Sequence, residues 1–230
     1  RAGRYQHQVR REGATALHIG QAVVGLVPGS AASHITAAAQ LFVACPLELS
    51  LEQAAAGALA YPQVRHVLEQ QAELGPGDRL LILGVERPEG LAAMHIGRLR
   101  GAEIFLAQPA DATHSVLQEL APDHTVNIAA LPAGFTVDLI LNAGPAATPK
   151  ELLAALRRGG SLVELDLGRL IARRPERAQV LLASTLAELA SGALPRFEPR
   201  VVPIQNIAFA AQQLASGAVV SLVGASPLLL

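Results

Sequence analysis

Of the eighteen basic residues, seventeen are arginine, and Lys150 is the one lysine. Any chemistry that calls for a lysine, as proton donor or phosphate clamp, therefore rests on that residue alone. Other reactive groups are sparse. His34, His66, His95, His114 and His124 show no i,i+4 pairing and are read as lacking HxxE-like ligand spacing, so no metal site is expected. Ser33 and His34 could serve as nucleophile and base, but neighbours on a strand point to opposite faces. No GxSxG elbow is present. Cys45 is the single cysteine, which excludes an intrachain disulfide; it stands before a proline and reads as a buried small residue. His95, on the apolar side of an expected helix, reads as a hydrogen-bonded packing residue.

The most informative segment is Gly84-Val85-Glu86-Arg87-Pro88-Glu89-Gly90. It joins a short apolar run, Arg79 to Leu83, to an expected helix carrying Leu91, Met94, His95 and Leu99. A helix start after a strand can seat an anion on its free amides. Two features oppose that use here. Pro88 has no amide hydrogen to offer, and Glu86 and Glu89 put carboxylates where an anion would lie. Two like charges within about 4 Å, at an effective dielectric near 20, repel by roughly 4 kcal/mol. Acids near a helix N-terminus and proline in its first turn are, by contrast, what an ordinary structural helix start uses. By this reading no residue of the loop binds a cofactor.

These groups must be positioned by an alternation of strands and helices. Ala22 to Val27 and Leu41 to Ala44 read as strands, with Ser33 to Thr36 a further candidate. Ser50 followed by Gln53 is a capping-box pattern, and Tyr61-Pro62 is expected to break that helix and open a second. Strands are then expected at Arg79 to Leu83, Ala102 to Leu106, Thr125 to Asn127, Val137 to Leu141 and Ser161 to Leu165. Helices between them start near Glu89, near Asp111 and at Thr148-Pro149-Lys150-Glu151, the last running to Gly159-Gly160. This order predicts a parallel sheet with right-handed crossovers. Beyond it lie a helix from Pro175 to Ala190 stopped by Gly192, a strand at Arg200 to Val202, a helix to Leu214 and a strand at Ala218 to Val223.

The composition sets the outer bounds. The chain has 230 residues, 51% of them hydrophobic and 16% charged, so it has ample surface to bury. A net charge of −1 argues against a nucleic-acid binder. No apolar run reaches the roughly 18 residues of a membrane helix, and the arginine-rich start lacks the apolar stretch of a secretory signal. A cytoplasmic protein is expected. The chain opens on Arg1, as a piece of a longer protein would.

Read in order, the segments resemble the enoylreductase domain of type I polyketide and fatty acid synthases, within the medium-chain dehydrogenase/reductase family. The matching stretches are Gln21 to Gly29 with Ala32-Ser33-His34, Leu49 to Ala55, Leu74 to Ile82, Gly101 to Phe105, Val137 to Asn142 and Gly159 to Leu165. The resemblance implies an α/β fold: a Rossmann-like parallel sheet at 50–193, with a truncated GroES-like β substrate lobe at 1–49 and 194–230. It also implies reduction by NADPH of the double bond of a carrier-bound α,β-unsaturated acyl thioester. The family's loop glycines are matched here only at Gly90, the one needed for close helix–strand packing; Arg87 and Pro88 take the phosphate-approaching positions. Ala112 and Leu167 stand where the family carries lysines. About 20 residues precede the matching region, too few for the family's N-terminal half-lobe.

The expected function is therefore that of a non-catalytic, structural enoylreductase-like domain of a polyketide synthase, with no catalytic residue, no metal and no cofactor. Its expected partners are neighbouring domains of the same synthase, the acyl carrier protein and, as a homodimer, a second copy, with neither nucleic acid nor membrane. Two alternatives stand beside it. One is an active NADPH-dependent enoyl reductase. The other is a docking module that uses Arg173 and Arg177 of the cluster Arg173-Arg174-Pro175-Glu176-Arg177.

Overall fold

The computed structural model describes residues 2–6, 17–18, 20–27, 35–108, 123–203, 206–215 and 220–223. The chain forms two compact units, one from residues 63–165 and the other from 1–62 with 166–230.

The first unit is built on five parallel strands. They are β4 (Arg79–Leu83), β5 (Glu103–Gln108), β6 (His124–Asn127), β7 (Val137–Asn142) and β8 (Leu156–Val163), in the spatial order β6-β5-β4-β7-β8. The central strand is an unbroken apolar run because both of its faces are covered: Leu80, Leu81 and Ile82 are fully buried. Leu81 lies opposite Phe105 on one side and Ile140 on the other. These three pack with Leu83, Val126, Val137 and Leu152 in one apolar cluster. Helix α2 (Pro88–Leu99) buries Ala92, Ala93, Met94 and Ile96, and Gly101, at φ +73°, ends its last turn.

Polar side chains tie the amino ends of the strands together. The Arg79 guanidinium lies 4.5 Å over the Phe105 ring, donates to the Thr136 carbonyl and pairs with Glu103 at 3.2 Å. Asp138 accepts the Arg79 amide at 2.9 Å and holds Arg157 through both carboxylate oxygens, at 3.0 and 2.9 Å. His124 stacks on Phe105 and pairs with Glu103 at 2.7 Å.

The second unit holds an antiparallel sheet of β1 (Ala2–Gln6), β2 (Ala22–Leu26) and β3 (Phe42–Ala44), and a parallel pair of β9 (Arg200–Pro203) and β10 (Val220–Val223). Helix α1 (Leu51–Arg65) opens on the expected capping box. The Gln53 amide donates to Ser50 Oγ at 3.1 Å, and the Ser50 amide donates to Gln53 Oε1 at 3.3 Å. The Tyr61 hydroxyl donates to the Pro195 carbonyl at 2.8 Å, and its ring stacks on Phe197 with centroids 5.0 Å apart. Helix α5 (Pro175–Ser191) ends at Gly192 in the left-handed conformation, as its sequence predicts. Helix α6 (Ile207–Ala215) joins β9 to β10.

Several expectations are corrected. Pro62 does not break α1; the helix runs through it to Arg65 and widens into a π-turn at His66–Gln71. Burial of Ala58, Tyr61, Val64, Val67 and Leu68 outweighs the roughly 3 kcal/mol that an interior proline costs. Thr148 does not cap the next helix. Its hydroxyl accepts from Asn142 Nδ2 at 3.1 Å, Pro149 takes the cap position, and α3 spans only Lys150–Ala154. β8 accordingly begins at Leu156 rather than Ser161, with an irregular stretch opposite Val137 to Leu139. The segment after Asp166 is helical, α4 (Leu167–Arg173), and the Asp166 carboxylate accepts the Arg169 amide at 2.8 Å. Ile35 and Thr36 are not strand. Ser33, His34, Ala112 and His114, and the helix expected near 111–120, lie outside the described residues.

Candidate functional site

The carboxyl ends of β4 and β7 are neighbours, and at this point the chain order of the sheet reverses. In an open α/β sheet a crevice forms at such a point. Here it has a volume of about 710 Å³, and its lining includes Arg87, Glu89, Asn142, Thr148 and Glu164.

Three glycines pack beside it, of which Gly144 is on the lining. A Cβ placed on Gly90 would lie 2.2 Å from the Gly84 carbonyl oxygen, and one on Gly84 would lie 2.7 Å from the Gly144 amide nitrogen. Gly84 also holds φ at +72°, a conformation that costs other residues strain. The backbones of the β4–α2 turn, the first turn of α2 and the loop after β7 thus meet without side chains between them. Gly90 is expected from sequence as a packing glycine, and the geometry agrees. Gly144 is a member of the stack that the sequence reading does not include.

Asn142 fixes the wall beside this stack. Its Oδ1 accepts the Gly144 amide at 2.9 Å, and its Nδ2 donates to the Ala146 carbonyl at 2.7 Å and to Thr148 Oγ1. An Asn-x-Gly turn at a strand end is the sequence signal that both residues carry.

The opposite wall is the start of α2. Arg87 is the N-cap residue with no capping bond from its side chain, and Pro88 is the first helical residue. The first amides of a helix have no intrahelical acceptor, and Pro88 removes one of those donors. Glu89 follows. Its Oε2 is buried with no hydrogen-bond partner and lies 4.0 Å from Arg87 Nε. Glu86 is exposed on the turn before the helix and is not part of the lining.

The remaining candidates are dispersed. Lys150 is exposed at the start of α3 and is not among the crevice residues. Leu167 is buried at the start of α4. Arg173 and Arg174 are exposed where α4 meets α5. Contrary to the sequence reading, one HxxE spacing is present, His66 with Glu69, yet the His66 ring is engaged by Gln70 and Gln71, and Glu69 pairs with Arg100 at 2.8 Å. Among the described residues no three His, Cys, Asp or Glu side chains are grouped to hold a metal ion. His95 is half-buried; burial, and then the Arg98 guanidinium, push its imidazole down to about 4. Cys45 is half-buried, less than expected. Its thiol donates to the Pro46 carbonyl at 3.6 Å, and burial, followed by Glu52, pushes it up. Among the described residues no helix is long and apolar enough to cross a membrane.

No protein-family model matches the chain. A phenolphthiocerol/phthiocerol polyketide synthase of Mycobacterium tuberculosis is 28% identical to it over 87% of its residues, and the chain spans only 11% of that protein's length. The crystal structure of the CurK enoyl reductase is 25% identical and superimposes with a TM-score of 0.76, covering 91% of this chain and 74% of that one. The JamJ enoyl reductase, 22% identical, shares the fold with a TM-score of 0.81 over 94% of this chain and 75% of its own. The chain is thus a homologue of polyketide synthases and has the fold of the CurK and JamJ enoyl reductases.

Proposed function

We propose that this chain is a structural, non-catalytic enoylreductase-like domain of a polyketide synthase. Its Rossmann-like part extends over about 50–193, flanked by substrate-lobe segments at 1–49 and 194–230, and it works through neighbouring domains of the same synthase. The observation that carries this reading is the start of α2, where Arg87, Pro88 and the buried carboxylate of Glu89 form the wall of the crevice. These residues do not fit the diphosphate of NADPH: one amide is missing, and an anion is already in place. The one lysine lies outside the crevice lining, so no lysine is at hand there as proton donor. No reaction step is assigned to the domain.

Titration of NADPH into the 230-residue chain, followed by nicotinamide fluorescence, tests the reading. No saturable binding is expected up to several hundred micromolar. Saturation in the low micromolar range would overturn it.

A second reading is favoured by the crevice itself, which keeps both its place at the chain reversal and the Gly90–Gly84 packing. Under that reading the domain is an NADPH-dependent enoyl reductase with an unusual loop. It would oxidise NADPH in the presence of a crotonyl thioester, and Arg87→Ala would abolish that activity.

A further inference from the structure

We propose that Glu89 is a tethered counter-ion: an intramolecular carboxylate at the start of α2 that claims Arg87, the cation of the crevice wall. The proposal rests on the non-binding reading above and deepens it, since it assigns the exclusion of phosphate to charge at a single residue rather than to the bulk of Pro88 or to the shape of the crevice.

Three observations meet at this residue. Glu89 is the second residue of a twelve-residue helix, where partial positive charge from the aligned peptide dipoles is greatest. Its Oε2 is buried and makes no hydrogen bond, so its charge is answered only by the longer-range ion pair with Arg87. Among the described residues lining the crevice, Arg87 is the only cation, and its Nε lies 4.0 Å from that same oxygen. The carboxylate therefore acts twice. It repels a second anion across a short distance, and it neutralises the guanidinium that would otherwise receive one. Glu164, on the lining beyond β8, adds to the negative potential without touching Arg87 in this arrangement.

The crevice is otherwise large enough for a diphosphate, at about 710 Å³. Neutralising Glu89 should then open a phosphate site that Arg87 serves, even with Pro88 in place.

The probe is inorganic pyrophosphate, titrated calorimetrically at low ionic strength into the whole 230-residue chain and its variants, with far-ultraviolet circular dichroism as the check on folding. The parent is expected to show no binding at 10 mM, on the order of the weakest affinity such a titration detects. Glu89→Gln is expected to bind at least ~100-fold more tightly, from the repulsion of one charge pair at this range. Adding Arg87→Ala to Glu89→Gln should remove the gain. Three results would overturn the proposal: a folded Glu89→Gln chain that binds no better than the parent, a gain that survives the loss of Arg87, or a gain produced by Pro88→Ala instead. If Glu89→Gln unfolds, Glu89→Ser gives the same charge comparison with a residue that helix starts favour. NADPH is titrated alongside; saturable micromolar binding to the parent would instead refute the non-binding reading on which the proposal stands.

Discussion

Gly90→Ala separates a glycine kept for packing from one kept for a ligand. A methyl group on Gly90 would sit 2.2 Å from the Gly84 carbonyl oxygen and 2.6 Å from the Val85 Cα. To reach the 3.4 Å of ordinary contact, backbone must retreat by more than 1 Å. Neither side can yield easily. Gly84 is itself pressed against the Gly144 backbone, and Val85 is buried at 2% exposure. Overpacking of this kind costs about 1–3 kcal/mol and sometimes more. Alanine returns roughly 1 kcal/mol through its better helix propensity, so from the upper half of that range the net loss is about 1–2 kcal/mol and Tm should fall by roughly 2–8 °C. Gly97→Ala is the control. Its new methyl would meet the tips of the Ile104 and Leu80 side chains, at 2.5 and 3.2 Å, and these can swing aside. Differential scanning fluorimetry of the three proteins, with and without NADPH, gives the answer. A Gly90→Ala chain as stable as the parent would show that the glycine stack does not hold the turn.

Two further outcomes follow from side chains already described. Asp138→Ala removes the acceptor of the Arg79 amide and both bonds to Arg157, so urea denaturation should show a loss of about 2–3 kcal/mol, with Asp138→Asn losing less because it keeps an acceptor. His95 is held neutral in the fold, at about 4 against 6.5 when unfolded, so the unfolded chain binds more protons between those values. Stability is full above pH 6.5 and declines as pH falls toward 4; Tm measured across that window should drop less steeply in His95→Gln than in the parent.

Much of the sheet can be read from residue order. Leu80–Leu83 and Leu139–Leu141 are continuous apolar runs, the first ended by Gly84, and such runs have few other ways to bury both faces. Gly192 and the Ser50–Gln53 box are local signals that act within one turn, and both hold. Misreadings arise where tertiary burial overrides a local rule. Pro62 is an interior helix residue because the side chains on either side of it are buried, which propensity alone does not report. Thr148 has the right neighbours for a cap, but Asn142 claims its hydroxyl. At the crevice, Pro88, Glu89 and Gly90 are legible as a helix start. The contact of Gly84 with Gly144 is not, since it joins residues sixty positions apart. Asp166 carries a cap signal for α4, with its carboxylate three residues ahead of the Arg169 amide, and only the structure gives it weight.

The pairing of Tyr61 with Pro195 and Phe197 bears on how the domain is cut out for study. A fragment ending at 193, where the sequence places the edge of the Rossmann-like part, would leave the phenol without its acceptor and one ring face without its partner. Burial pushes that hydroxyl's ionisation well above its ordinary range, so water would reach a group the intact fold keeps shielded. An expression boundary drawn after Phe197 keeps the aromatic clasp closed; one drawn before Pro195 opens it.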